Sequence, residues 1–453
     1  MAKTTGSKMI SRRRFLAVSA AGVGSALLAA CGGSSSAPAG NAGTGAPAAS
    51  SGQVAEVIWS SWGNPGETKR LQEFTDDFNT RHSDIKATFR AVDSGTYGQK
   101  LVTEFVGGTA PDAPYVEDTQ IAKLVQDKQI MELSDLLAGP NSKSKPDEFA
   151  EGLWGAAKTS DGKIYGVTVD CNPLVFWYNK KVLQEAGVTD DPADLYEAGN
   201  WNWGNFQNIL DKITASGKRG FVLGSWWAPI WSWVTTNGGK VYDGGKFVGH
   251  EDPKSIEAFQ FLYDNIQSKN IIYTGSLPKG QGEDALFISN QLGFGTAGRW
   301  WLPQMKQVPN LEYDVVPWPT NTGKKLEPAA IATAYMALNA ATKNVDASFT
   351  FLTEFVSKEG QTFRLQGGGN AVPSVGGVDN LVLDGNLPAH AQYFLDTRDV
   401  GYANFSVEAG TPGVSKDVSD TLEPLWLKGG DVAGTLKQLA DTINPKIAAG
   451  SGS

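Results

Sequence analysis

Four tryptophans, Trp226, Trp227, Trp231 and Trp233, fall within eight residues, and another pair, Trp300 and Trp301, follows Gly298. An indole ring is a flat apolar platform. Laying ~50 Å² of a solute's C–H face on one ring gives roughly 1 kcal/mol at 25 cal/mol per Å². Carboxylates and amides able to bind hydroxyl edges stand near the ends of apolar runs: Ser60-Ser61-Trp62-Gly63-Asn64 after the first, and Glu117-Asp118-Thr119 after another. Flat faces beside planar acceptors suit the capture of a hydroxyl-rich solute such as a neutral sugar. The candidates are therefore Trp62, Asn64, Glu117, Asp118, Trp226, Trp227, Trp231 and Trp300. Trp154, Trp177 and Trp233 read as core, where most tryptophan surface goes. Arg299 could bond a solute or stack on its neighbour Trp300. Asn370, beside the run Gly367–Gly369, serves either a turn or a ligand.

The same inventory excludes other chemistries. Three widely spaced histidines (His82, His250, His390) and two cysteines supply neither a zinc set nor a nucleophile–base dyad, so no metal, cofactor or catalytic residue is expected. Cys171 reads as a packed free thiol. The glycine run lacks the lysine and spacing of a phosphate loop. A secreted glycosidase would need two opposed carboxylates, and nothing local singles out such a pair; binding of another polar solute is the nearer alternative. The net charge is −9, but residues 1–31 hold five basic and no acidic residues. The remainder carries 34 basic against 48 acidic residues, or −14. That balance disfavours nucleic acid as a partner.

The elements that must position these residues alternate. Val54–Ser60, Ile85–Val92 and Ala113–Val116 read as strands, separated by helical periods at Leu71, Phe74 and Phe78 and at Tyr97, Leu101 and Phe105. After Ile164–Thr168 and Leu174–Tyr178 the alternation resumes, with helices through Phe206–Ile213 and Ile256–Ile266. Strands follow near Leu292–Gly295, Tyr313–Val316 and Ile331–Leu338, and the last third is mainly helical. This predicts an α/β fold of two lobes, each a mostly parallel sheet flanked by helices.

The start of the chain has another logic. Ser11-Arg12-Arg13-Arg14-Phe15-Leu16 resembles a twin-arginine export signal and leads into the apolar run Phe15–Ala30. Sixteen residues span roughly 24 Å as a helix, short of the ~30 Å hydrocarbon core, so residues 1–30 read as a signal peptide. Leu28-Ala29-Ala30-Cys31 resembles the bacterial lipobox, whose thiol accepts a diacylglyceryl group. Residues 31–53 then read as a lipidated Cys31 with a flexible tether of small uncharged residues.

Four further stretches carry a resemblance to a family. Gly108-Thr109-Ala110-Pro111-Asp112, Tyr165-Gly166-Val167-Thr168 with Tyr178-Asn179-Lys180, Phe294–Trp300, and Ala347–Gln361 occur in the order found in the sugar-binding solute receptors of ABC importers, the maltose-binding branch included. The resemblance implies the two-lobed periplasmic-binding-protein fold joined by crossover strands. It implies an N-terminal lobe of 54–169 plus 333–385 and a C-terminal lobe of 170–332 plus 386–453. It also implies a sugar or oligosaccharide ligand, a membrane permease with a cytoplasmic ATPase as partner, a monomer, and an extracytoplasmic place tethered to the membrane by its lipid. Asp170 enters here, at the first crossover, where the maltose binders carry an acid that touches sugar. Thr168 departs from the family's usual proline, and Asp170–Pro173 lengthens that crossover.

Overall fold

The structure is a computed structural model that describes residues 54–159 and 161–450. The export segment, Cys31 and the tether lie outside the described residues. The described residues form twelve strands: β1 Ala55–Trp62, β2 Ile85–Val92, β3 Ala113–Glu117, β4 Val167–Pro173, β5 Val175–Asn179, β6 Arg219–Leu223, β7 Tyr242–Asp243, β8 Lys246–Phe247, β9 Ile271–Tyr273, β10 Leu292–Ala297, β11 Tyr313–Val316 and β12 Ile331–Met336. They form two five-stranded sheets, β2-β1-β3-β12-β4 and β11-β5-β10-β6-β9, and the small hairpin β7-β8.

The sheets are more mixed than the alternation predicts. In the first, β1 pairs in parallel with β2 and β3, while β12 pairs antiparallel with β3 and β4. In the second, β6 pairs in parallel with β9 and β10, while β5 pairs antiparallel with β10 and β11. The reason is topological. Each βαβ unit returns in parallel, but a strand arriving from the other sheet does not pass over a helix first.

Two aromatic cores lie under these sheets. One gathers Val57, Trp59, Phe74, Phe78, Phe351 and Phe355; the other gathers Phe176, Phe206, Phe221, Trp233, Phe294 and Trp318. The chain passes from one core to the other between Val169 and Cys171, between Ile331 and Tyr335, and between the adjacent residues Leu381 and Val382, while Leu153 and Val372 reach into the second core from stretches that otherwise pack in the first. Only Leu174 separates β4 in one sheet from β5 in the other. Trp177 and Trp233 are wholly buried, Trp154 nearly so, and Cys171 is a buried free thiol. No helix among the described residues is long and apolar enough to cross a membrane.

Candidate functional site

Ligands of open α/β sheets collect at the carboxyl ends of parallel strands, and the candidate residues are found there. In the first sheet β1 ends at Trp62 and β3 at Glu117; in the second, β6 is followed by Trp226 and β10 by Gly298–Trp300. The two sets face each other. Asn64 Nδ2 donates to the backbone carbonyl of Trp300 at 2.8 Å. A Cβ on Gly66 would lie 2.7 Å from Pro303.

The aromatic wall combines exposed, half-buried and buried rings. Trp226 is 37% exposed and Trp300 is half-buried, with ring centroids 6.5 Å apart. Trp226 meets Trp227 edge to face at 5.8 Å, and Trp227 approaches Tyr402 at 6.5 Å. Gly298 makes the turn that presents Trp300: a Cβ there would fall 2.4 Å from the Asn172 side chain and 2.5 Å from the Trp300 ring. Opposite, Trp62 is half-buried against Tyr97 and Tyr115, at 5.0 and 5.6 Å.

The carboxyl wall lacks countercharge. Burial pushes Asp118 up to about 7, helped by the negative charges of Glu117 and Glu408. Burial also raises Glu117. Neither has an ion-pair partner among the described residues. The Trp227 indole lies near enough to favour ionised Asp118, yet its buried N–H makes no well-formed hydrogen bond. That donor and these acceptors are the unspent polar capacity of the site.

Other candidates are spent elsewhere. Trp231 is wholly buried and donates through Nε1 to Glu408 at 2.8 Å, so it offers no face to a ligand. Glu408 also accepts from Tyr242 and Ser415. Arg299, also wholly buried, donates to the carbonyls of Ala371, Val382 and Leu387 and stitches the segments that pass between the cores. Burial lowers its pKa to about 10. Asp170 accepts from Arg364 at 2.9 Å, and Arg364 also holds the Val169 carbonyl at 2.8 Å. Burial outweighs that pairing and raises Asp170, which is only 7% exposed. The structure thus places Trp231, Arg299 and Asp170 on buried protein partners, apart from the exposed ring of Trp226. Asn64 is occupied as well, because its Oδ1 caps the helix Pro65–Arg81 through the amides of Gly66 and Glu67.

Asn370 donates to Glu67 at 2.9 Å, and Glu67 accepts the Asn64 amide at 2.8 Å. Burial pushes Glu67 up to about 7. Sequence reasoning passed over Glu67 although the signal was present: Asn64-Pro65-Gly66-Glu67 is a capping-box pattern. It also passed over Glu283, which accepts the Thr296 amide at 2.8 Å near the end of β10 and is pushed by burial up to about 8. Tyr402 carried no local signal at all.

Residues 62–362 match the sequence profile of the family described as bacterial extracellular solute-binding protein. A Brucella abortus protein named as a binding protein is 23% identical over 262 residues, covering 55% of this chain and 59% of its own length. The chain thus spans about three fifths of the curated relative it matches there. An arabinooligosaccharide-binding protein of Bacillus subtilis is 25% identical over 231 residues, covering 49% of this chain and 50% of the relative. Among solved structures, an ABC substrate-binding protein of Listeria monocytogenes in complex with cycloalternan superposes with a TM-score of 0.77 at 20% identity, covering 87% of this chain and all of that one. At that identity the likeness concerns the fold.

Proposed function

Because the chain belongs to the bacterial extracellular solute-binding protein family, we propose that it captures a sugar or oligosaccharide between its two sheets and delivers it to an ABC permease driven by a cytoplasmic ATPase. One observation carries this reading: the exposed ring of Trp226 and the half-buried ring of Trp300 stand together at the strand ends with the unpaired Trp227 N–H. Apolar sugar faces would lie on the rings, while hydroxyl edges would meet Glu117, Asp118 and that N–H. Relatives that bind oligosaccharides support the substrate class.

The family is extracellular, so the protein works outside the cytoplasm. We further propose that Cys31 is lipidated after removal of residues 1–30, and that the N-terminal lobe comprises 54–169 plus 333–385. The role is capture without catalysis. Each crossing segment then acts as a hinge, and ligand favours closure by its differential affinity.

The test is calorimetric titration of the chain with a panel of neutral oligosaccharides, followed by chromatography of the recovered sugar. Saturable binding with the sugar returned intact is expected. Failure of every sugar to bind, or recovery of cleaved product, would overturn the reading.

A further inference from the structure

Two polar bridges cross between the sheets beside the strand ends, and neither needs a solute. Asn64 follows β1 of the first sheet, and its Nδ2 donates at 2.8 Å to the Trp300 carbonyl, after β10 of the second. Lys306 follows the helix Leu302–Met305, whose Leu302 and Met305 lie in the second core. Its Nζ donates in the other direction, to the carbonyls of Gly367 at 2.7 Å and Gly368 at 3.2 Å. Those glycines follow the helix Lys358–Leu365, whose Leu365 lies in the first core. With φ of 66° and 79° both occupy the left-handed region that favours glycine, in a turn that leaves two carbonyls for Lys306.

The bridges are tied to each other on the first-sheet side. Glu67 accepts the Asn64 amide through Oε2 at 2.8 Å and Asn370 Nδ2 through Oε1 at 2.9 Å. One carboxyl group therefore joins the helix start that carries Asn64 to the loop that meets Lys306. Between the bridges the two sides approach so closely that a Cβ on Gly66 would fall 2.7 Å from Pro303. Neither bridge uses Glu117, Asp118 or the Trp227 N–H, the groups proposed for the edges of a solute. A hydrogen bond between two hinged bodies counts only while they are closed, because opening returns both groups to water. Losing one such bond shifts the closed-to-open ratio about fivefold.

We infer that Asn64 and Lys306 form a clasp that favours the closed arrangement before any solute arrives, with Glu67 joining its halves. The inference rests on the hinged capture proposed above and adds a device to it. The clasp sets how much of the empty protein is closed, and so tunes affinity through residues that do not touch solute.

Small-angle scattering of the full chain without solute, beside its melting temperature, tests the inference. Asn64→Ser keeps an oxygen that caps the helix but loses the amide donor. Lys306→Met keeps the apolar stem and loses the ammonium. Gly66→Ala places a Cβ against Pro303 and wedges the seam apart. Each bridge variant should raise the radius of gyration at unchanged melting temperature, as expected for about a fivefold fall in the closed-to-open ratio. The two together should raise it further, and Gly66→Ala should do so as well. Should Asn64→Ser melt early, Asn64→Asp, which caps equally well, carries the comparison. Expansion in Gly66→Ala alone would show that the lobes part but the bridges hold nothing, and would overturn the clasp. No expansion in any variant would show that the seam is not closed in the empty protein, and would overturn it equally. Failure of every sugar to bind would sink only the proposed solute, since no solute enters this measurement.

Discussion

Two acids of one sheet, Asp118 after β3 and Asp170 on β4, show how differently a fold can use the same carboxylate. Both are at least nine-tenths buried, and burial raises both. Asp170 is answered by the wholly buried guanidinium of Arg364, which also ties down the Val169 carbonyl. Asp118 has no cation beside it and faces instead the unpaired indole N–H of Trp227. A neutralised buried pair holds a crossing segment in register. An acid left without countercharge is costly for the empty protein and useful to a ligand.

The comparison breaks most directly at Arg364. Arg364→Met should leave Asp170 as an uncompensated buried acid and cost about 3–5 kcal/mol, read as a large fall in thermal midpoint. Adding Asp170→Leu should recover most of that loss. A single variant that melts like wild type would show that the pair holds nothing together. At the other acid's end of the comparison, Trp300→Ala should weaken sugar binding by about 1–3 kcal/mol, roughly 5- to 150-fold, with the fold intact. Unchanged affinity by calorimetry would remove Trp300 from the site.

Asp118→Asn sharpens the contrast through pH. The folded pKa of about 7 lies above the ordinary value of 3.8, so the folded state binds more protons than the unfolded one between those limits. The associated stability is complete below about pH 4 and is lost as pH rises towards 7. The variant should therefore match wild type at pH 4 and exceed it by about 4 kcal/mol at pH 8, in paired denaturant titrations. A constant difference across pH would assign the raised pKa elsewhere. The smallest effect is expected at Asn370→Ala, which removes one donor from Glu67 and should cost about 1 kcal/mol at pH 8. Because that donor lowers the Glu67 pKa, the cost should shrink at pH 4, where the carboxyl is protonated in both proteins. An equal loss at both pH values would make Asn370 a turn residue only.

Much of the architecture was legible because it rests on local periodicity. Ile85–Val92 and Tyr313–Val316 are strands over those bounds, and Phe206, Ile209, Leu210 and Ile213 form the buried face of the helix Trp203–Ala215. The helix Pro253–Gln267 is less regular. Phe259 is buried as expected, but Ala258, Leu262 and Asn265 share that face, while Ile256, Tyr263 and Ile266 are only partly covered. It packs against more than one neighbour, and a single stripe does not describe it.

Residue type and position along a strand also singled out most of the residues proposed to face solute, since strand ends are set by local pattern and an indole face needs no partner to be useful. Trp226, Trp300, Glu117 and Asp118 could be chosen on that basis. Which of the polar and aromatic residues were already occupied was decided only by tertiary contact. Arg364 reaches Asp170 across 194 positions, and Glu408 takes the Trp231 indole across 177. Tyr402 comes beside Ala330, at the start of β12, only because the last passage folds back there. A hydrogen bond saturates its donor and acceptor, and that saturation depends on groups brought together by packing, not on the identity of the residue or its neighbours in the chain.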